Sequence, residues 1–218
     1  MKINILFEDE NIIVCEKPPF VSSQKSDKDN MVTLLQNALS LIEEPYVVHR
    51  LDTAVSGLMV YAKNKKTAAD LSEQIAKNEF KKTYLCIVHS KPENKSGTFE
   101  DLLFKDSKKN KSFVVKRERK GVKKAVLNYE LIDTKTVNDK ILSLVKVNLV
   151  TGRTHQIRVQ FSSRKMPLYG DGKYGASDNS NMALFSSELS FKYKNENLTF
   201  SLLPRGLVWD NFIQERSL

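Results

Sequence analysis

Apolar and polar positions follow two rhythms along this chain. Two short apolar runs, residues 3–7 and 12–15, flank the acidic turn Glu8-Asp9-Glu10-Asn11, which is the pattern of a strand pair, and Lys17-Pro18-Pro19 ends it. Val32, Leu35, Leu39 and Ile42 recur with helical spacing and predict a helix over residues 32–42; Leu71 and Ile75 do the same for residues 67–77. The runs Tyr46-Val47-Val48 and Leu58-Met59-Val60-Tyr61 resemble buried strands and enclose a short polar loop. Further on, residues 83–88, 98–104, 112–115, 125–132 and 141–150 read as strands, separated by polar turns at 93–97 and 137–140. Gly152 then makes a turn, Thr154 is the expected N-cap, and Ile157 and Phe161 supply the apolar face of a last helix. Many successive strands with few helices between them argue an α+β chain on a largely antiparallel sheet with flanking helices, not a doubly wound α/β fold.

Length and charge narrow the class. A chain of 218 residues is one domain or a two-lobed one, with enough material for a core without staples. Its net charge of +9 is concentrated: residues 105–124, KDSKKNKSFVVKRERKGVKK, hold ten basic and two acidic side chains, 10 − 2 = +8. Such a patch is either the footprint of a polyanion binder or a solvated lysine-rich hairpin. Cys15 and Cys86 stand alone in apolar contexts and read as reduced, buried thiols; His49, His89 and His155 lack metal-ligand spacing. The start of the chain is interrupted by acids, with apolar runs too short for a signal peptide or a membrane span. These features lead us to expect a cytosolic protein without metal, cofactor or membrane association. No GxGxxG or GxxxxGK[ST] pattern occurs, which removes the dinucleotide and P-loop readings.

Two stretches carry candidate chemistry. HRLDTAVSGLMVYAK, residues 49–63, places Arg50, Asp52, Ser56 and Gly57 between apolar runs. Asp and Ser-Gly are ordinary turn residues, but a carboxylate on a loop held by strands is also where reactive groups sit. In VNLVTGRTHQIRVQFSSRKMPLYGDGKYG, Arg153 lies at the turn, while His155, Arg158 and Ser162 share a helix stripe. Arginines at a helix start suit a phosphate or a carboxylate; the alternative is a plain capped amphipathic helix. Gly170, Asp171, Gly172 and Gly175 then form a turn-rich loop.

Taken in order, these stretches resemble the RluA-type pseudouridine synthases. HRLDTAVSGLMVYAK is similar to their HRLDxxTSGLLLLAK signature, FKKTYLCIV to their Lys-x-Tyr strand, and TGRTHQIRVQFSSRKMPLYGDGKYG to TGRTHQIRVHLAxxGHPIxGDxxYG. ILFEDENIIVCEKPP matches the opening strand pair, and ALFSSELSF with LLPRGL the closing region. Departures are Gln160-Phe161 for His-Leu, Phe185 for His, Val55 for Thr and Cys86 for Ala, none at a position expected to do chemistry.

The resemblance implies a single catalytic domain over residues 1–218, without an S4 RNA-binding domain, around a central RNA-binding cleft. The implied reaction breaks the bond between uracil and C1′ of a uridine in RNA, rotates the base and rejoins it through C5. Asp52 would be the catalytic carboxylate, as nucleophile or base. Arg158 would face it and keep it ionised. Tyr84 would pack on the base and handle the C5 proton. Ile157 would line the uracil pocket, although core packing explains it equally. Arg50 would fill the gap left by a flipped nucleotide, or else touch phosphate. His49, Arg153, Thr154 and His155 complete the expected RNA-binding set. The implied partner is a structured RNA stem-loop, ribosomal before transfer RNA, with no protein partner and a monomeric chain. Two rivals remain: a glycoside hydrolase, which generally needs a second carboxylate that the loop lacks, and a synthase-like domain that only binds or remodels RNA.

Overall fold

The structure is a computed structural model that describes residues 2–27 and 29–213. Its strands form a mixed sheet with few helices, and the chain divides into two compact units, Met1–Lys82 with Phe185–Leu202, and Thr83–Leu184 with Leu203–Leu218. No helix among the described residues is long and apolar enough to cross a membrane.

In the first unit the strands are β1 (Asn4–Glu8), β2 (Ile12–Lys17), β3 (Tyr46–Val47) and β4 (Ser56–Ala62), joined from late in the chain by β10 (Leu184–Tyr193) and β11 (Glu196–Ser201). β2 pairs antiparallel with β4 from Ile12 opposite Ala62 to Lys17 opposite Gly57. β10 runs parallel to β4, with Phe185 opposite Ser56 and Ser186 opposite Gly57. Ile12, Ile13, Val14 and Cys15 are all fully buried, as are Leu58 to Ala62. Strands covered on both faces need continuous apolar sequence instead of alternation, which is why IIVC and LMVYA read as unbroken runs. One face packs Ile12, Val14, Leu58 and Val60 with Leu71, Phe80, Leu189 and Phe191.

Helix α1 (Met31–Ala38) is shorter than its periodicity predicts. Leu39 is already its C-cap, Ser40 turns left-handed at φ 51, and Ile42 is 99% exposed, so the apolar spacing at Ile42 marks no buried face. Helix α2 (Lys65–Ala76) begins two residues earlier than the apolar pattern, because Asn64 accepts from Thr67 N–H and nucleates a polar first turn.

The second unit is an antiparallel sheet in the order β5 (Lys81–His89), β9 (Lys140–Leu149), β8 (Val122–Val137), β6 (Ser96–Asp106) and β7 (Lys111–Val115). Ala125, Leu127, Tyr129 and Leu131 of β8 alternate inward while their neighbours face out, the signature of a half-buried strand. Helix α3 (Gln156–Ser162) lies on that face, with Val159 packed against Leu103, Ala125 and Tyr174, and Phe161 edge-on to Phe99 at 5.1 Å. Its cap corrects the sequence expectation: His155, not Thr154, occupies the N-cap position, left-handed at φ 53 and without a side-chain cap. Cys15 and Cys86 are free and buried, as expected.

Candidate active site

Asp52 opens a tight turn closed by the hydrogen bond from Val55 N–H to Asp52 O, 2.9 Å. The turn is stapled to the segment after β2 by buried groups. Ser23 Oγ accepts from Leu51 N–H at 3.0 Å and donates to Leu51 O at 2.8 Å, and Tyr61 OH donates to Ser23 O. Phe20 N–H donates to Thr53 O at 2.7 Å.

Lys17 lies beneath all of this, fully buried. Its ammonium donates to the carbonyls of Pro18, Val21 and Thr53 at 2.8, 2.9 and 3.2 Å, so each N–H has an acceptor. Burial pulls its pKa down to about 8, against the opposing pull of the Asp52 carboxylate. Lys-Pro-Pro in the sequence reads as a strand terminator, and nothing local says that this lysine turns inward.

Gly57 shows why the second residue of β4 must be glycine. Its φ is +116, and a Cβ there would stand 2.4 Å from Ser186 O. Only glycine lets β10 come that close directly after the aspartate loop.

The remaining expected residues of the first unit fare differently. Arg50 is exposed, with Nη1 donating to Gln24 Oε1 at 3.2 Å. His49 is buried, tilted against Phe80 at 5.5 Å, and its Nε2 accepts from Val60 N–H. Burial, aided by the charge of Lys82, holds its pKa at about 3, so the ring is neutral. The structure therefore packs His49 inside the core of its unit.

In the second unit, Tyr84 sits on β5 opposite Val147 and is 6% exposed. Arg158 is buried on α3, where its Nε and Nη2 donate to the two carboxylate oxygens of Asp171 at 2.7 and 2.8 Å. Such a two-pronged pair fixes the plane of the guanidinium as well as its charge. The stripe of His155, Arg158 and Ser162 has one focus, Tyr174. His155 Nδ1 meets its OH at 2.9 Å, Arg158 stacks over its ring at 5.0 Å, and Ser162 Oγ donates to its carbonyl. Tyr174 OH also accepts from Ser112 N–H, and burial raises its pKa.

Ile157 is buried, while Arg153 is exposed with Nε on Lys124 O, and Thr154 O accepts from Ser112 Oγ. The basic stretch 105–124 spans the end of β6, β7 and the start of β8, and most of its lysines and arginines are exposed. Sequence reasoning missed the inward turn of Lys17 and the contacts that Asp171 and Tyr174 make with the α3 stripe. For the last two the GDGKYG string was the available signal.

Comparison with known proteins gives one consistent answer. The RNA pseudouridylate synthase family profile matches residues 11–163. An uncharacterized RNA pseudouridine synthase of Haemophilus influenzae is 29% identical over 212 residues, covering 96% of this chain and 91% of that protein. The ribosomal large subunit pseudouridine synthase D of Borreliella burgdorferi is 32% identical over 82% of this chain, and synthase C of Buchnera aphidicola 33% identical over 78%. This chain spans only 56% and 53% of the length of those two relatives. Among solved structures, human RNA pseudouridylate synthase domain containing 4 superposes with a TM-score of 0.77 at 22% identity, over 93% of this chain and 89% of that one. With the HRLD loop, the Lys-x-Tyr strand and the TGRTHQIR helix all inside or beside the matched region, the chain belongs to the RNA pseudouridylate synthase family.

Proposed function

We propose that this chain isomerises uridine to pseudouridine in ribosomal RNA, with residues 1–218 acting as one catalytic domain. The observation that carries the reading is the stapled HRLD turn. A family carboxylate, Asp52, stands on a loop whose backbone is fixed by Lys17, Ser23 and Tyr61, as a group that must meet a ribose requires. The names of the Borreliella and Buchnera relatives support large-subunit ribosomal RNA as substrate.

In the proposed reaction Asp52 acts at the ribose of the target uridine while the C1′–N1 bond breaks. The freed uracil turns, C5 bonds to C1′, the proton leaves C5 and N1 regains one. Tyr84 packs on the base and handles the proton that leaves C5, its hydroxyl passing one on as it takes one up. Arg158 holds positive charge for the anionic steps, a role supported by the planar lock that Asp171 gives its fork. Arg50, exposed on the turn, takes the place of the flipped nucleotide, and Arg153 and the basic stretch attract phosphate.

The test is release of tritium from C5-labelled uridine in an unmodified large-subunit ribosomal RNA transcript. The wild type is expected to release it, and Asp52→Asn to release it at less than about a thousandth of that rate, a loss of about 4 kcal/mol. RNA affinity should stay near wild type. A wild-type protein that shifts the RNA on a gel without releasing tritium would be a binding domain, and the synthase reading would fall.

A further inference from the structure

Phe20 poses a question that the mechanism does not answer. Its backbone is left-handed, φ 66, a conformation unfavourable for a bulky side chain. The residue is 62% exposed, so core packing does not compensate for the unfavourable backbone. Everything around it is pinned. Its N–H bonds Thr53 O, the carbonyls of Pro18 and Val21 on either side accept from buried Lys17, and the Val21 side chain is 5% exposed. Strain that persists in a rigid setting and projects a group into solvent is a pointer to use.

Its location identifies that use. The carbonyl bonded by Phe20 belongs to Thr53, the residue after Asp52, so the ring is held in register with the turn that carries the carboxylate. Arg50, on the same turn, is tied to Gln24 of the Phe20 segment. Among the described residues, the large apolar side chains more than a third exposed are mostly aliphatic, and only Phe20 and Phe113 offer a flat aromatic face. Phe20 also forms one wall of an open hollow of about 630 Å³ lined by Asp27, Asp29, Asn30, Thr33 and Leu34. Among the described residues lining the hollow, the charged groups are these two carboxylates, which suit an uncharged base better than a phosphate.

We propose that Phe20 is a stacking platform for an unpaired nucleobase flanking the target uridine, and so a determinant of which RNA site this chain accepts. The identity of the RNA rests on the synthase reading; the stacking does not. Every base has a π-face, and aromatic stacking on single-stranded nucleic acid is a general mode of recognition. The platform selects sites whose neighbouring nucleotide is free to leave its own stack.

Three substitutions test this. With the unmodified transcript, Phe20→Leu and Phe20→Gly should lower kcat/KM for tritium release about five- to hundredfold. The loss should be the same at about 50 and 200 mM salt, because stacking releases no counterions. Phe20→Gly suits the left-handed backbone and should be as stable as wild type in urea, which separates lost recognition from misfolding. Phe20→Trp should keep activity, and emission of the introduced indole should be quenched by the transcript but not by inorganic polyphosphate. The native Trp209, 7% exposed, sets the background.

Unchanged kcat/KM in both the Leu and Gly variants, or an indole unquenched by bound RNA, overturns the proposal. Quenching by RNA in a protein that releases no tritium would leave the platform standing and remove the synthase reading. Tritium release indifferent to Phe20 would do the reverse.

Discussion

Lys17 makes stability and activity respond to pH in opposite directions. Its ammonium titrates at about 8 in the fold, against 10.5 for the ordinary side chain. Between those values the unfolded chain holds a proton that the folded one has released. The fold therefore gains stability as pH rises through that window, and this contribution is flat below it. The gap corresponds to about 3 kcal/mol, fully expressed only near pH 10.5.

The staple behaves otherwise. A neutral amine keeps two N–H groups for three carbonyls, so one of Pro18, Val21 and Thr53 loses its donor and the Asp52 turn loosens. Activity should then fall as pH passes about 8 while the urea midpoint climbs. Lys17→Met removes the titration. It frees the fold of the buried charge but deserts carbonyls at about 1–3 kcal/mol each, with Thr53 O keeping the Phe20 N–H. The two effects nearly offset, so its stability at neutral pH should lie within about 3 kcal/mol of wild type, with turnover lowered and the alkaline limb gone. The assay is urea unfolding and tritium release for both proteins from pH 7 to 10.5. Subtracting the variant isolates Lys17 from all other lysines. A stability difference that stays flat across that range refutes the argument.

Two other outcomes are expected. Gly57→Ala drives a Cβ to 2.4 Å from Ser186 O and 2.6 Å from Ser186 N at φ +116, and neither backbone atom can swing aside. Unfolding in urea should show a loss of about 3 kcal/mol or more, and a loss below about 1 kcal/mol would mean that the strands part easily. Changing Lys108, Lys109, Lys123 and Lys124 to Gln should flatten the log–log salt dependence of RNA binding by about 0.7 to 0.9 for each phosphate no longer neutralised. Lys124, already paired with Glu100 at 2.6 Å, should contribute least, and an unaltered slope would make the whole stretch solvated surface.

What the sequence revealed and what it hid follow from range. IIVC and LMVYA announced strands because burial on both faces leaves no other composition open to them. The start of α2 was off by two residues, since Lys65 and Lys66 carry no apolar period and only the Asn64 cap marks the beginning. Ile42 extended α1 on paper because spacing cannot see that the backbone has turned left-handed at Ser40. The short strand β11 went unread, its Glu, Asn and Thr giving little apolar signal beside Leu198 and Phe200. At the candidate site, Asp52, Tyr84 and Arg158 were put forward by resemblance. What fixes them was not found: Asp171 lies thirteen positions from Arg158 in no periodic relation, and a lysine turned inward looks like any other lysine in one dimension. The packing of His49 was hidden too: in the string it stands beside Arg50 at the head of the charged loop, but its neighbours in space are Phe80 and a backbone amide.

The split ancestry of the first unit also sets a clock. Its core takes Leu189 and Phe191 from β10, yet 184 − 82 = 102 residues separate its two segments in the chain. At about 5–20 residues per second a ribosome needs on the order of 5–20 s to supply them. During that interval β1, β2 and β4 exist without the strand that lies against Ser56 and Gly57, and an unpaired edge of that kind invites wrong pairing. The second unit has β5 to β9 and α3 in one continuous stretch and waits for nothing that late to build its sheet. The part of the chain synthesised first is thus the part that must finish last, and the strand that leaves the Asp52 turn gains its parallel neighbour only when β10 arrives beside Gly57.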